Sequence, residues 1–207
     1  VLQALLEAAR PLLAPAFVLG GSAVTWLELL AVALALGMVA ANVRVHPVAW
    51  PLAIASSLLY ALLFADARLY GQAGLQGVFI AVAAWGWWQW LHGRSADGLA
   101  LRVRRLPARK GLLLAGATLL GWGLLGGGLA RGTDSPVPFL DALPTALAIA
   151  AQLLLARKYI ENWALWLAVN GLSVALFVHQ GLWFTAGLYA LFALLSGLGW
   201  RAWRRLL

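Results

Sequence analysis

The 207-residue chain contains no cysteine, which excludes disulfides, thiolate nucleophiles and cysteine metal sites. Charge is scarce as well. Only 11% of the residues are Asp, Glu, Lys or Arg against 63% hydrophobic, too little polar surface to coat a water-soluble globule. Acidic residues are the scarcest, seven against fifteen Lys and Arg. The three histidines, His46, His92 and His179, lie far apart and show no ligand spacing, so no metal site is expected. Two further absences narrow the class: there is no phosphate-binding glycine loop, which argues against ATP-driven chemistry, and there are no short alternating segments of the kind that build a membrane β-barrel.

What is present is a series of long apolar runs. Read between Pro, Gly and charged breaks, they predict helices at 24–43, 48–65, 70–91, 111–130, 138–156, 162–179 and 182–200. Each approaches the roughly 20 residues that cross a hydrocarbon core of about 30 Å, where a helix satisfies its own backbone. The expected fold class is therefore all-α and integral to a membrane, with seven transmembrane helices. Residues 1–22, with two prolines and Arg10, read as an interfacial lead.

The net charge of +8 would suggest nucleic acid in a soluble protein, but here the basic residues sit in short loops and the tail. Placing Arg94, Arg102, Arg104, Arg105, Arg109 and Lys110 in the cytoplasm puts Arg44, Arg157, Lys158, Arg201, Arg204 and Arg205 there too, leaving Arg10, Arg68 and Arg131 outside. That bias predicts an outside N-terminus, a cytoplasmic C-terminus and contact with anionic lipid headgroups, not nucleic acid.

The chain is also written twice. Adding 113 takes Arg44 to Arg157, Trp50 to Trp163, Phe64 to Phe177, Phe79 to Phe192, and Gly86-Trp87-x-x-Trp90 to Gly199-Trp200-x-x-Trp203, with Glu28 against Asp141. The expected organisation is a three-helix bundle at 23–91, a basic loop and linker helix at 92–130, a second three-helix bundle at 131–200 and a basic tail at 201–207. Three helices reverse direction, so the linker helix makes the copies parallel, an arrangement known from SWEET-type carriers.

Matched residues serve the shared scaffold, so unmatched polar and aromatic residues are the candidates for binding. Trp163, Trp166 and Asn170 share one face of their helix; the partners of Trp166 and Asn170 are Ala53 and Ser57. Gln72 and Gln76 share another face, opposite Thr185 and Tyr189 in the repeat. Trp166, Asn170, Gln76, Tyr189, Trp163, Ser57, Gln72, Thr185 and Gln89 form the candidate substrate-binding set, suited to a neutral or cationic aromatic ligand with hydroxyls. Trp87, Trp88, Trp90, Trp200 and Trp203 read as an interfacial belt or as packing. Glu28, Asp66, Asp97, Asp141 and Glu161 all lie near span ends, so the buried carboxylate that coupled carriers usually employ is missing. Facilitated diffusion is the expectation. An intramembrane enzyme would need His46, Asp66 and His179 to converge across the membrane, and a purely structural subunit would tolerate loss of Asn170 and Gln76.

Trp163-x-x-Trp166-x-x-x-Asn170, Leu75-Gln76, Gly86-Trp87-x-Gln89-Trp90 and the stretch from Tyr189 through Gly199 to Trp203 resemble the PnuC vitamin transporters over about residues 25–205. The resemblance implies a seven-helix SWEET-like fold of the 3+1+3 type and a homotrimer; no enzymatic activity and no cofactor are expected. It further implies passive uptake of nicotinamide riboside through a bacterial inner membrane, trapped by a cytoplasmic vitamin kinase that feeds NAD biosynthesis. Thiamine and riboflavin are the alternative substrates.

Overall fold

Each apolar run folds as a helix. The computed structural model describes residues 2–19, 22–66, 70–95, 98–133, 137–179 and 183–207. Its helices are α1 (Leu2–Leu13), α2 (Trp26–Val43), α3 (Ala49–Asp66), α4 (Tyr70–His92), α5 (Ala108–Gly132), α6 (Pro138–Ala156), α7 (Asn162–His179) and α8 (Trp183–Arg204). Of these, α2, α3, α5, α6 and α7 are long and apolar enough to cross a membrane. α4 and α8, at 23 and 22 residues, have the length. Their polarity has identifiable sources: Gln72, Gln76 and Gln89 on α4, and Arg201 and Arg204 in the last turn of α8.

The lead differs from a plain interfacial segment. After α1, strands β1 (Pro15–Leu19) and β2 (Ser22–Thr25) form an antiparallel hairpin, pairing Phe17 with Val24 and Val18 with Ala23. The hairpin ends where α2 begins: the Thr25 hydroxyl accepts from the Glu28 amide at 3.1 Å, the capping arrangement expected of a Thr-x-x-Glu start.

The chain divides into two compact units, residues 1–93 and 94–207. In the first, α3 packs against both α2 and α4; Ser56, buried on α3, donates to the Ala31 carbonyl of α2 at 3.0 Å. In the second, α6 packs on α5 and α7, and α7 on α8. Alanines 142, 146, 148, 150, 151 and 156 of α6 are buried, small side chains that let neighbouring helices approach closely.

The duplication survives in backbone detail. α2 ends in a turn where Val45 donates to the Asn42 carbonyl at 3.0 Å and His46 to the Ala41 carbonyl at 2.9 Å. α6 ends the same way, Lys158 donating to Leu155 at 2.9 Å and Tyr159 to Leu154 at 3.0 Å. Both are Schellman caps, which require a left-handed residue just past the helix. That residue is Val45 (φ 55°) in one turn and Lys158 (φ 56°) in the other. Glycine usually fills such a position, so two non-glycine residues holding it 113 positions apart mark a shared, imposed geometry.

Candidate functional site

Aromatic packing ties the helices of each unit at equivalent places. Trp50 of α3 meets Trp90 of α4 edge to face, with ring centroids 5.4 Å apart and planes at 86°. Trp163 of α7 meets Trp203 of α8 at 5.6 Å and 88°. Beneath each inserted indole lies a glycine: a Cβ on Gly86 would collide with the Trp50 ring, and one on Gly199 with the Trp163 ring. All four tryptophans are at least nine-tenths buried. The belt-or-packing expectation therefore divides. Trp90 and Trp203 are interior packing, whereas Trp87 and Trp88 are exposed.

From the Trp163/Trp203 rung, each step of seven residues along α7 matches a step of seven back along α8. The second rung is Asn170 with Ser196, where the Asn170 Nδ2 donates to the Ser196 Oγ at 3.3 Å. The third is Phe177 with Tyr189, ring centroids 5.2 Å apart, and Tyr189 also meets the edge of Phe192 at 6.3 Å. Seven residues span about 10 Å of helix, so the three rungs cover most of a hydrocarbon core. A tryptophan clamp closes one end, an amide and a hydroxyl occupy the middle, and aromatic rings line the other end.

Asn170 and Ser196 are both buried, 6% and 3% exposed. A mid-helix amide without a partner would cost several kcal/mol in hydrocarbon. Ser196 supplies the partner, and its own hydroxyl donates to the Phe192 carbonyl at 2.8 Å. Ser173, one turn from Asn170 on α7, is buried too. Trp166 lies between the rung positions Trp163 and Asn170 and remains half-buried. Trp163 has little such surface at 3% exposure.

Thr185 sits one turn before Tyr189 on α8, half-buried. Ser57, Gln76 and Gln89 belong to the first unit; Gln89 is buried and the other two are half-buried. The Gln72 side chain, Arg68 and Asp97 lie outside the described residues. Sequence reasoning missed six buried polar residues among those described, Asn42, Ser56, Gln152, Asn162, Ser173 and Ser196, and the last two lie beside the Asn170 rung or within it. The signal was available, since Ser173, Ser196 and Gln152 face Tyr60, Ala83 and Val39 in the repeat, and Asn42, Ser56 and Asn162 face Leu155, Val169 and Ala49.

The basic segment before α5 is ordered, within the second unit, against the α6–α7 turn. Residue 104 pairs with the α6–α7 turn as a parallel bridge: its amide donates to the Lys158 carbonyl, and its carbonyl accepts from Ile160, both at 3.0 Å. The Arg104 guanidinium lies 4.7 Å above the Tyr159 ring. Lys158 Nζ donates to the Leu101 carbonyl at 3.0 Å, and the Leu106 amide donates to Glu161 Oε2 at 3.0 Å. Burial against this strap pushes the Lys158 ammonium below its ordinary pKa.

Residues 25–205 match the family model of nicotinamide mononucleotide transporters. The chain belongs to the PnuC transporter family. It is 28% identical over 169 residues to the nicotinamide riboside transporter PnuC of Escherichia coli K12, covering 70% of this chain and 71% of that protein. It is 31% identical over 193 residues to the riboflavin/roseoflavin transporter RibM of Streptomyces davaonensis, covering 91% and 89% respectively. The crystal structure of the vitamin B3 transporter PnuC aligns with a TM-score of 0.70 at 25% identity, over 87% of this chain and 81% of that one. This PnuC-family protein is a membrane transporter of vitamin-type small molecules, and its mostly helical fold is that of the family.

Proposed function

We propose that this transporter carries nicotinamide riboside into the cytoplasm by facilitated diffusion, with a cytoplasmic kinase trapping the vitamin by phosphorylation. Seven helices, α2–α8, cross the bacterial inner membrane in this reading. α5 joins the two three-helix repeats, and the positively charged side faces the cytoplasm, leaving the N-terminus outside. The observation that carries the proposal is the middle rung of the second unit: the buried Asn170 amide, held by Ser196, with half-buried Trp166 one turn away and Tyr189 with Phe177 beyond. A pyridinium ring is a flat cation that indole and phenol faces attract, by about 1–2 kcal/mol for a well-placed, desolvated ring, and a ribose needs neutral hydrogen-bonding partners. In the first unit, Gln76 is the corresponding polar candidate.

A second reading, riboflavin, is favoured by the 31% identity to RibM over nearly the whole chain. Its ribityl hydroxyls would suit the same amide, but its neutral ring gains nothing from cation–π attraction. Uptake of labelled nicotinamide riboside, riboflavin and thiamine into proteoliposomes separates the readings. Nicotinamide riboside is expected to equilibrate without an ion gradient. Accumulation that requires a gradient would exclude facilitated diffusion, and uptake of riboflavin alone would replace the substrate.

A further inference from the structure

We propose that Ser196 is a positioning residue that fixes which end of the Asn170 amide faces the transported molecule, so that the site selects ligands able to donate a hydrogen bond. The inference deepens the transport reading and rests on Asn170 being a binding residue.

The argument is one of donors and acceptors. A serine hydroxyl has a single proton and two lone pairs. At Ser196 the oxygen lies 2.8 Å from the Phe192 carbonyl, four residues back on α8. A carbonyl only accepts, so the hydroxyl proton is committed there. Towards Asn170, 3.3 Å away, Ser196 therefore presents a lone pair, and the Asn170 amide must turn its N–H₂ end to meet it. The carbonyl end, Oδ1, is directed away from Ser196, and it accepts nothing from the described residues. Reversing the amide would set two lone pairs face to face in a site where both residues are more than nine-tenths buried, so little water reaches them to relieve the conflict.

The first repeat lacks this device. Seven residues from the Trp50/Trp90 rung, the equivalent positions carry Ser57 and Ala83. A serine hydroxyl rotates and serves as donor or acceptor, and alanine constrains nothing. At this rung, selection for a ligand donor is thus a property of the second repeat, and its chemical target is a hydroxyl or carboxamide N–H rather than an ether, fluorine or carboxylate.

Two measurements on the purified full-length protein test this, one with ligand and one without. Binding of nicotinamide riboside is compared with analogues in which each ribose hydroxyl in turn is replaced by fluorine, which accepts but cannot donate. In the wild type, one replacement is expected to weaken binding by about 3- to 10-fold. In Ser196→Ala, whose freed amide can turn its N–H₂ to the fluorine, that penalty falls below about 2-fold. In Ser196→Thr, which keeps the hydroxyl, it returns. A penalty of the same size in Ser196→Ala overturns the proposal.

The second measurement needs no substrate. In asparagine-¹⁵N-labelled protein, the Asn170 side-chain N–H₂ signal, identified by its loss in Asn170→Ala, is expected to exchange slowly with water in the wild type and Ser196→Thr and at least about tenfold faster in Ser196→Ala. Equal exchange in all three overturns the proposal. Failure of the wild type to bind nicotinamide riboside, with the exchange difference intact, instead overturns the substrate reading.

Discussion

The two repeats share their scaffold and differ in what they place upon it. Both turn α-helix into α-helix through the same left-handed cap, and both lock the next helix pair with an edge-to-face tryptophan rung over a glycine. One rung further, the first repeat has Ser57 and Ala83 where the second has Asn170 and Ser196; one more, Phe64 and Gln76 stand where Phe177 and Tyr189 do. The clamp is kept whole, where a large ring must fit against a bare backbone, and Phe64 and Phe177 also match further along. Divergence begins where polar groups are buried, and each polar group there must be matched or left at a cost. Duplication explains the frame, and departure from it explains how a symmetric frame can bind an asymmetric molecule.

The sharpest way to break the comparison is at the clamp. Trp90→Ala and Trp203→Ala are each expected to cost about 3–5 kcal/mol, the usual range for emptying a buried aromatic site. Thermal unfolding in detergent should show similar losses for the two; a loss confined to one repeat would mean that the rungs are not equivalent. Gly86→Ala and Gly199→Ala approach the same contact from the other side. An added methyl must displace an indole, so a cost of about 1–3 kcal/mol is expected from each. If either variant melts like the wild type, the glycine is not what seats the ring.

Binding should separate what stability does not. Asn170→Ala removes a buried amide that Ser196 has oriented, and it is expected to weaken substrate binding by about 5- to 150-fold, the range of about one to three kcal/mol. Ser57→Ala, at the equivalent place in the first repeat, should change affinity by less than about 3-fold, since a lone half-buried hydroxyl is worth at most one ordinary hydrogen bond. Calorimetric titration of both variants provides the comparison. Equal losses would move the site away from the second repeat, and no loss from Asn170→Ala would remove Asn170 from it.

The seven long helices could be read from the sequence because apolar length is a local property, and the repeat because Trp and Gly are rare enough to make a constant offset meaningful. Trp90 and Trp203 were harder to place. A tryptophan near a span end is equally at home in an interfacial belt, and only the partner ring across the helix pair decides. Ser196 carries the same clue as Asn170, a polar residue against Ala83 in the first repeat, but serine is common in apolar helices and so signals less than a mid-span amide. The hairpin of the lead had a signal in two β-prone runs separated by Gly20-Gly21, masked by a short apolar stretch that also reads as helix. The strap had only a faint one. Residues 101–104 alternate as Leu-Arg-Val-Arg, too short a run to name a partner, and their segment's contact with residues 158–161 lies more than fifty positions away, a distance over which local pattern carries no information.

That strap supplies the smallest expected effect, and it too is a difference between the repeats. The left-handed position is Val45 in the first, an apolar residue with nothing to titrate, and Lys158 in the second. Beside Leu101, Arg104 and Tyr159, the Lys158 ammonium is partly desolvated, and its pKa lies below the ordinary value of 10.5. Between the folded and unfolded pKa values the unfolded chain holds more protons, so stability rises with pH through that window and levels off above about 10.5. The wild type should therefore gain stability relative to Lys158→Met as the pH climbs from neutral towards 10.5. Lysine is only half-buried here and water screens much of the charge, so the gain is smaller than any effect above. Melting curves of the two proteins across that range provide the test, and taking their difference removes contributions common to both. A difference that stays flat with pH would mean that the ammonium is fully solvated and that the strap does not cover it. A difference that shrinks would mean that the charged form is the favoured one in the folded state, in spite of its burial.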